Sequence, residues 1–596
     1  MESIDRSANV HICKPIAGTK LEGGILGDRY KKNIQNLFLK IDIEKLKEVF
    51  YSTHDEWYAE PEFVGKYIDT AIQLYKNERN SIFLEKAKDI VEVIISRQRE
   101  DGYLGTYRTG LEFGKNFSIW NQAFIIMGLL SYYEAANDQR ALNAAMRCAD
   151  HIISGYMGGN HDFLTALNQG IQNSCIILQM ARLYSISNKK EYLDFCNFII
   201  AKWEATTLKL ITNPSVFELG CLKGIEMLIC YRGLVLLYDI TNEVAYLEAA
   251  SKYWAELEKE QIGITGNGTV AEMWSYIRNR AVLLTNDVMP NENCVAVGWM
   301  KLSADLFSKT GDGKYFDAFE KTLYNHLLGA QAIDGHDFSY YQGNIGRKLH
   351  ETLPGLYSCC RYRGMNLLSY LPQFVYWKNK EGIVVSLYCD SDVTTEHNGV
   401  KVNIEQKTEY PLNGKIKLTI CPEKDVKFVL KLRVPKWCEN YEASINGSTH
   451  HIKAIDGYIV IDKLWSASNN EVEIKIDMPF RFVDDSKQYE HSPAITDQSK
   501  SVAFSYGPIL LAIDSNYGTP IYGTQVEVPE EGYTLEREYV DNLDGVPLLK
   551  FKIPGYIDKK PASITLVDYA SAGSVDTKTS EFRVWLPLHG SENKCF

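Results

Sequence analysis

The sequence predicts a closed helical toroid over residues 1–376, followed by two all-β sandwich domains over 377–480 and 481–596. Three observations predict it. A helix–turn–helix phrase recurs five times in the first 330 residues. Long inserts interrupt the recurrence, and beyond Trp377 the apolar period changes from that of a helix to that of a strand.

The five copies are AIQLYKNERNSIFLEKAKDIV around Tyr75, LLSYYEAANDQRALNAAMRCADHI around Tyr133, QMARLYSISNKKEYLDFCNFI around Tyr184, LVLLYDITNEVAYLEAASKYW around Tyr238 and SADLFSKTGDGKYFDAFEKTL around Phe307. Each is a helix ending in an aromatic, a polar turn, and a second helix with apolar residues at i, i+3 and i+4. A spacing of roughly 50 to 70 residues gives each copy room for one hairpin. With a further helix near Asn366–Tyr376, about six hairpins are expected. Such units stack into an open solenoid or close on themselves. The DGYLGTY loop (Asp101 to Tyr107) and the inserts after Gly263 and Gly335 favour closure, because they would build a mouth over a central cavity. From Gly382 onward, short alternating runs (IVVSLYC, VKVNIEQ, KIKLTIC, KFVLKLRV, YIVID, EVEIKI) are separated by turn residues, as in a sandwich. SVAFSYGPILLAI, PLLKFKI and EFRVWLPL mark a second β region from about Met478 to Phe596.

Composition excludes more than it assigns. A formal net charge of −12 argues against a nucleic-acid partner. No run of about 18 apolar residues exists, so no membrane span is expected. The N-terminus lacks the basic and apolar regions of a signal peptide, which points to the cytoplasm, here of a bacterium. Thirteen cysteines is an odd number, and Cys148, Cys175, Cys196 and Cys230 fall in apolar helical patterns. They read as reduced, buried thiols. Abundant Tyr and Trp hint at carbohydrate.

Two short stretches carry chemistry. GLYSCCRY sets Cys359 beside Cys360, and PNENCVAVGWM sets Glu292 two residues from Cys294. Adjacent cysteines form only a strained disulfide ring, so inert packing, a redox pair and metal ligation stay open. Together the stretches offer one carboxylate and three thiolates, a donor set that zinc accepts. The plain alternative is three buried thiols and a solvated glutamate.

The order EWYAEPEFVGKYIDTA, QREDGYLGTY, ENC, YFDAFEKTLYNHLLG, DFSYY, YSCC and SYLPQFVYW resembles glycoside hydrolase family 127, over about residues 20 to 480. The resemblance implies an (α/α)6 barrel followed by β-sandwich domains, and a retaining, exo-acting hydrolase that removes a terminal furanose-type sugar from an oligosaccharide or glycoside. It implies zinc on Glu292, Cys294, Cys359 and Cys360, with Cys359 as the nucleophile. In VAEMWS it implies Glu272 as acid/base, and it places Glu320 and Tyr340 in the sugar pocket. The family's pocket histidines have no counterpart here: Trp120 or Asn121, Asn173 and Lys223 stand near those positions. RYRG replaces a proline-rich phrase after the cysteine pair, so the sugar-recognition shell is expected to be remodelled. Lys223, Arg361 and Arg363 would suit an acidic group on the substrate, or would be ordinary surface cations. His326, His336 and His350 flank the site without metal-motif spacing, and GNGTV (Gly266 to Val270) lacks a phosphate-loop ending. Two rival readings are a carbohydrate-binding protein that has lost catalysis and another carbohydrate-active enzyme on the same barrel. A homodimer is left open.

Overall fold

The computed structural model describes residues 12–56, 58–114, 116–165, 167–275, 289–350, 358–450, 452–484, 501–533, 535–539, 549–574 and 579–590. Gly355, Leu356 and Tyr357 of the GLYSCCRY stretch, and several parts of the second β region, fall outside these residues.

The recurrent phrase becomes a ring of helical hairpins. Its helices are α1 (Gly24–Lys32), α2 (Glu60–Glu78), α3 (Ser81–Ser96), α4 (Ser118–Ala136), α5 (Gln139–Met157), α6 (Ile177–Ser187), α7 (Lys190–Glu204), α8 (Gly224–Thr241), α9 (Val244–Glu260), α10 (Asn293–Thr310), α11 (Lys314–Thr322) and α12 (Cys359–Tyr370). The inner helices touch in the order α2, α4, α6, α8, α10, α12 and back to α2, and each of the first five packs against the outer helix that follows it. This is a helical barrel.

The recurring aromatic has a local reason. In each hairpin the inner helix ends in a left-handed residue: Arg79, Asn137, Asn188, Asn242 or Gly311. Its backbone N–H donates to the carbonyl four residues back, on Tyr75, Tyr133, Tyr184, Tyr238 or Phe307. That αL cap satisfies an orphan carbonyl and reverses the chain. Asn80, Asp138, Glu243 and Asp312 then accept from the first turn of the next helix.

The sixth unit differs from expectation. The last inner helix starts at Cys359 rather than near Asn366, and Pro372 falls in the 3₁₀ turn Leu371–Phe374 that follows it. Its outer partner comes from the chain's start: the turn Asn33–Leu37 continues α1 and packs on α12. The ring is closed by joining the first and last helices, which no single sequence window can show.

The β part follows directly. One sheet orders the strands Lys14–Pro15, Tyr376–Lys378, Gly382–Val385, Val426–Arg433 and Tyr458–Trp465. A second runs from Ser448–His450 through Tyr441–Ile445, Asn470–Ile476, Lys415–Pro422, Val400–Thr408 and Ser391–His397 to Lys20–Leu21. Alternate residues of Lys415–Pro422 and Asn470–Ile476 are buried, the period of a sheet with one covered face. Two-residue strands from the N-terminus thus edge both sheets. The last domain is built on a further sheet through Phe480–Asp484, Ser501–Tyr506, Ile509–Asp514, Lys560–Asp568 and Leu549–Ile557. It takes in Ile345–Gly346 from the barrel, which pairs with Phe582–Arg583. No helix among the described residues is long and apolar enough to cross a membrane.

Candidate active site

The two cysteine-bearing stretches open two neighbouring inner helices. Glu292 is the residue before α10 and Cys294 lies in its first turn, while Cys359 and Cys360 begin α12. Ser358 caps α12, its Oγ accepting from the Arg361 N–H at 3.2 Å. The Asn293 side chain donates to the Cys360 carbonyl at 3.2 Å and ties the two helix starts together. Helix N-termini favour negative charge, so thiolates are at home here. The GNGTV stretch has a role after all: Asn267 donates to the Glu292 carbonyl at 2.7 Å, and Thr269 Oγ1 accepts from the Glu292 N–H at 3.2 Å.

The four side chains converge. Cys294 Sγ lies 3.3 Å from Cys359 Sγ and 3.4 Å from Cys360 Sγ, and the two adjacent thiols are 3.9 Å apart. Glu292 Oε1 is 3.9 Å from Cys359 Sγ and 3.8 Å from Cys360 Sγ. All four ligand atoms fall within 4.8 Å of one another. A tetrahedral zinc with Zn–S of about 2.3 Å sets sulfurs roughly 3.8 Å apart, so the donors present fit a metal of that kind. Glu292 Oε2 is buried without a hydrogen-bond partner, as a carboxylate reserved for a cation would be. The cluster can hold a metal ion.

The thiols are not equivalent. Cys294 and Cys360 are buried and Cys359 is partly exposed. Hydrogen bonds from Cys294 and Cys360 hold the Cys359 thiol well below its ordinary value. Burial pushes Cys294 and Cys360 up.

Cys359 opens into a pocket also lined by Glu62, Lys66, Trp120, Lys223, Glu226, Glu272, Tyr340 and Arg363. The Tyr340 hydroxyl donates to Glu272 Oε1 at 2.9 Å and lies 3.2 Å from Cys359 Sγ, linking thiol and carboxylate. Tyr341 donates to the same Oε1 at 3.0 Å, and Lys223 Nζ donates to Oε2. Glu272 itself sits at φ +70°, in the left-handed region, and its carbonyl accepts from Gly224 N–H at 2.9 Å. Non-glycine residues held this way cluster at functional sites. Burial pulls Lys223 down, but the carboxylates of Glu226 and Glu272 outweigh it and keep the ammonium above its ordinary value. Burial also pushes the Glu226 carboxyl up to about 7, against the pull of Lys223.

Several expected residues stand elsewhere. Glu320 does not line this pocket. It is buried against the first β domain, accepting from Tyr410 Oη at 2.7 Å, from Trp437 Nε1 at 3.2 Å and from Arg433 Nη2. The outer helix α11 carries it, so it faces the domain junction rather than the lumen. Asn173 is buried outside the pocket lining, donating to Tyr156 Oη at 3.0 Å, and Asn121 donates to the Tyr58 carbonyl at 2.8 Å. Arg361 is engaged by Asp337 through both carboxylate oxygens. His326 and His350 are buried, which lowers both to about 3, and His336 is exposed beside Asp334.

Other residues at the site escaped the sequence reading: Glu62, Lys66, Glu226 and Tyr341. Glu62 and Lys66 form a 3.3 Å pair one turn apart on α2, and Glu62 also accepts from Trp120 Nε1. A signal existed, because Glu62 and Lys66 are charges inside an apolar inner helix and Glu226 interrupts GIEMLIC.

The family model for the β-L-arabinofuranosidase GH127 catalytic domain matches residues 28–373, and that for the GH127 middle domain matches 382–478. A non-reducing end β-L-arabinofuranosidase of Bifidobacterium longum subsp. longum is 21% identical over 480 residues, 70% of each chain. Among solved structures, a GH127 β-arabinofuranosidase superposes with a TM-score of 0.82 at 21% identity, covering 97% of this chain and 98% of its own. A GH127 β-L-arabinofuranosidase from Geobacillus stearothermophilus T6 gives 0.77 at 19% identity, covering 96% of this chain and 100% of its own. The match spans more than half of the chain and includes the helices that carry the Glu292, Cys294, Cys359 and Cys360 cluster, so the chain belongs to glycoside hydrolase family 127 and is a glycoside hydrolase.

Proposed function

We propose that the protein is a retaining, exo-acting glycosidase that removes a terminal furanose-type sugar, β-L-arabinofuranose or a related sugar, neutral or acidic, with zinc on Glu292, Cys294, Cys359 and Cys360. The observation that carries the reading is the position of Cys359. It belongs to the ligand cluster, it is the partly exposed thiol of the three, and Tyr340 joins it to Glu272.

Bound zinc would supply a deprotonated thiolate at neutral pH. The Cys359 sulfur attacks the anomeric carbon; a C–S bond forms as the glycosidic C–O bond breaks. Glu272 gives its proton to the departing oxygen. In the second half Glu272 takes a proton from water, the water oxygen attacks the same carbon, and the sulfur leaves. Two inversions give retention. Lys223 and Tyr341 hold the Glu272 carboxyl in place, and Tyr340 holds both partners in register.

The test measures metal content by mass spectrometry and turnover of aryl β-L-arabinofuranosides in wild type, Cys294→Ala and Cys359→Ser. About one zinc per chain is expected in wild type, lost in Cys294→Ala, with turnover abolished in a folded Cys359→Ser. Near-normal hydrolysis by Cys359→Ser would sink the nucleophile, and metal-free wild type purified without chelators would sink the zinc site.

A further inference from the structure

The turn that carries Glu272 is held from outside the pocket. Val270 and Met273 exchange backbone hydrogen bonds of 2.9 Å in both directions, closing a two-residue hairpin whose central residues are Ala271 and Glu272. Both sit at positive φ, +46° and +70°, as in a type I′ turn. Such turns are ordinarily made by Asn-Gly or Gly-Gly, because a Cβ is disfavoured in the left-handed region. Two successive non-glycine residues persist there only where the surroundings over-determine them.

The surroundings do so through the backbone. On one side the Gly224 N–H donates to the Glu272 carbonyl at 2.9 Å, and the Trp274 N–H to the Leu222 carbonyl at 2.8 Å. On the other, the Ala271 N–H donates to the Met289 carbonyl at 3.0 Å, and the Asn291 N–H to the Thr269 carbonyl at 2.6 Å. Beyond these, the Gln342 N–H reaches the Pro290 carbonyl at 3.0 Å, and the Asn293 N–H that of Tyr340 at 2.9 Å. Lys223 is bridged to Met273 and Glu292 to Tyr341. One backbone ladder thus strings together Lys223, Glu272, Glu292, Tyr340 and Tyr341. Ala271 is exposed and does not line the pocket, so what it brings is its backbone conformation. With φ reversed, its N–H would turn away from Met289, and Glu272 would leave the place where Lys223 and the tyrosine pair meet it.

We propose that Ala271 is a positioning residue of the reaction: its left-handed conformation sets where the Glu272 carboxyl stands. The inference rests on Glu272 as the acid/base. It requires, in place of Ala271, a residue that accepts positive φ, whatever its size. Glycine and asparagine do, and valine, branched at Cβ, does not.

The test compares Ala271→Gly, Ala271→Asn and Ala271→Val with Glu272→Gln on β-L-arabinofuranosides whose leaving groups are graded in acidity, with a thermal melt of each variant. Ala271→Val is expected to lose about 10²-fold or more in kcat/KM on alkyl glycosides and far less on activated aryl glycosides, following Glu272→Gln. Ala271→Gly and Ala271→Asn, the second close to valine in size, should restore the wild-type dependence on the leaving group. An even loss across the series in Ala271→Val overturns the proposal, since that is what a merely structural role gives. So does a graded loss shared by Ala271→Asn, which would point to crowding. Graded losses in Glu272→Gln with none in Ala271→Val overturn it too and leave the acid/base standing, whereas even losses in Glu272→Gln sink the acid/base and this inference with it. Should Ala271→Val fail to fold, Ala271→Thr, also branched at Cβ, takes its place with the same two readings. Should no furanoside turn over, crystal structures of the variants decide: a Glu272 carboxyl parted from Tyr340 in the branched variant and kept in Ala271→Asn supports the proposal, and one unmoved in the branched variant overturns it.

Discussion

Glu272 receives three donors on two oxygens, one from Lys223 and two from the tyrosine pair. So held, the carboxyl keeps a fixed place beside Cys359 through Tyr340, as the proposed acid/base role requires. Its removal is felt where proton donation matters. Glu272→Gln is expected to lower kcat/KM on alkyl glycosides by about 10²–10⁴, with a much smaller loss on aryl glycosides whose leaving groups need no proton. A series of leaving groups of graded acidity checks this, and equal losses across the series would count against the role. At the same scale, the two candidate donor dyads were legible because each is local: two residues apart in one case, adjacent in the other. Arg363, Glu62, Lys66 and Glu226 were not legible as a set. They come from three inner helices, and nothing along the chain says which charges share a lumen.

At the scale of elements, α2 and α4 make a close crossing that shapes the pocket wall. A Cβ added at Gly65 would lie 2.0 Å from the Phe124 carbonyl oxygen, so the two helices meet backbone to backbone. That contact brings Glu62 and Lys66 of α2 against Trp120 and Phe124 of α4. Gly65→Ala must part the helices. It is expected to destabilise by about 1–3 kcal/mol, as overpacked cores do, and to reduce activity beyond the loss of folded protein because the wall moves. Thermal melts paired with kinetics test this, and an unchanged melting temperature would contradict the crossing. The hairpins themselves were readable in advance. An aromatic, a left-handed Arg, Asn or Gly four residues on and, in four of the five hairpins, a capping side chain form a local code whose hydrogen bonds close within a few residues. The two-residue strands Lys14–Pro15 and Lys20–Leu21 are too short to show any period.

At the scale of the whole molecule, barrel and β domains are locked by buried polar ties. Arg433, fully buried on the first β domain, reaches both Asp317 and Glu320 of α11. Asn325 donates to the Pro508 carbonyl at 3.0 Å and accepts from the Leu510 N–H at 2.8 Å. Lys348 donates to the carbonyls of Tyr569 and Ala570. Glu320 is therefore a tie between domains. Glu320→Gln is expected to cost about 3–5 kcal/mol, the penalty for breaking a buried pair, with KM nearly unchanged in the folded fraction. Denaturant midpoints and steady-state kinetics read the two effects separately, and weakened substrate binding at full stability would return Glu320 to the pocket.

By itself the sequence determined the helical hairpins and the switch to β structure, and it offered Glu292, Cys294, Cys359 and Cys360 as a candidate donor set that the family resemblance joined into one site. These rest on short-range hydrogen bonding, apolar period and donor chemistry, which neighbouring residues carry. Tertiary structure decided how the ring closes through the N-terminal helix, that Glu320 faces a domain junction, and that Arg363 rather than Arg361 meets the pocket. Arg361 and Arg363 are two positions apart on one helix, about 200° around its axis, and only the packing of neighbouring elements determines which of them finds Asp337 and which lines the pocket.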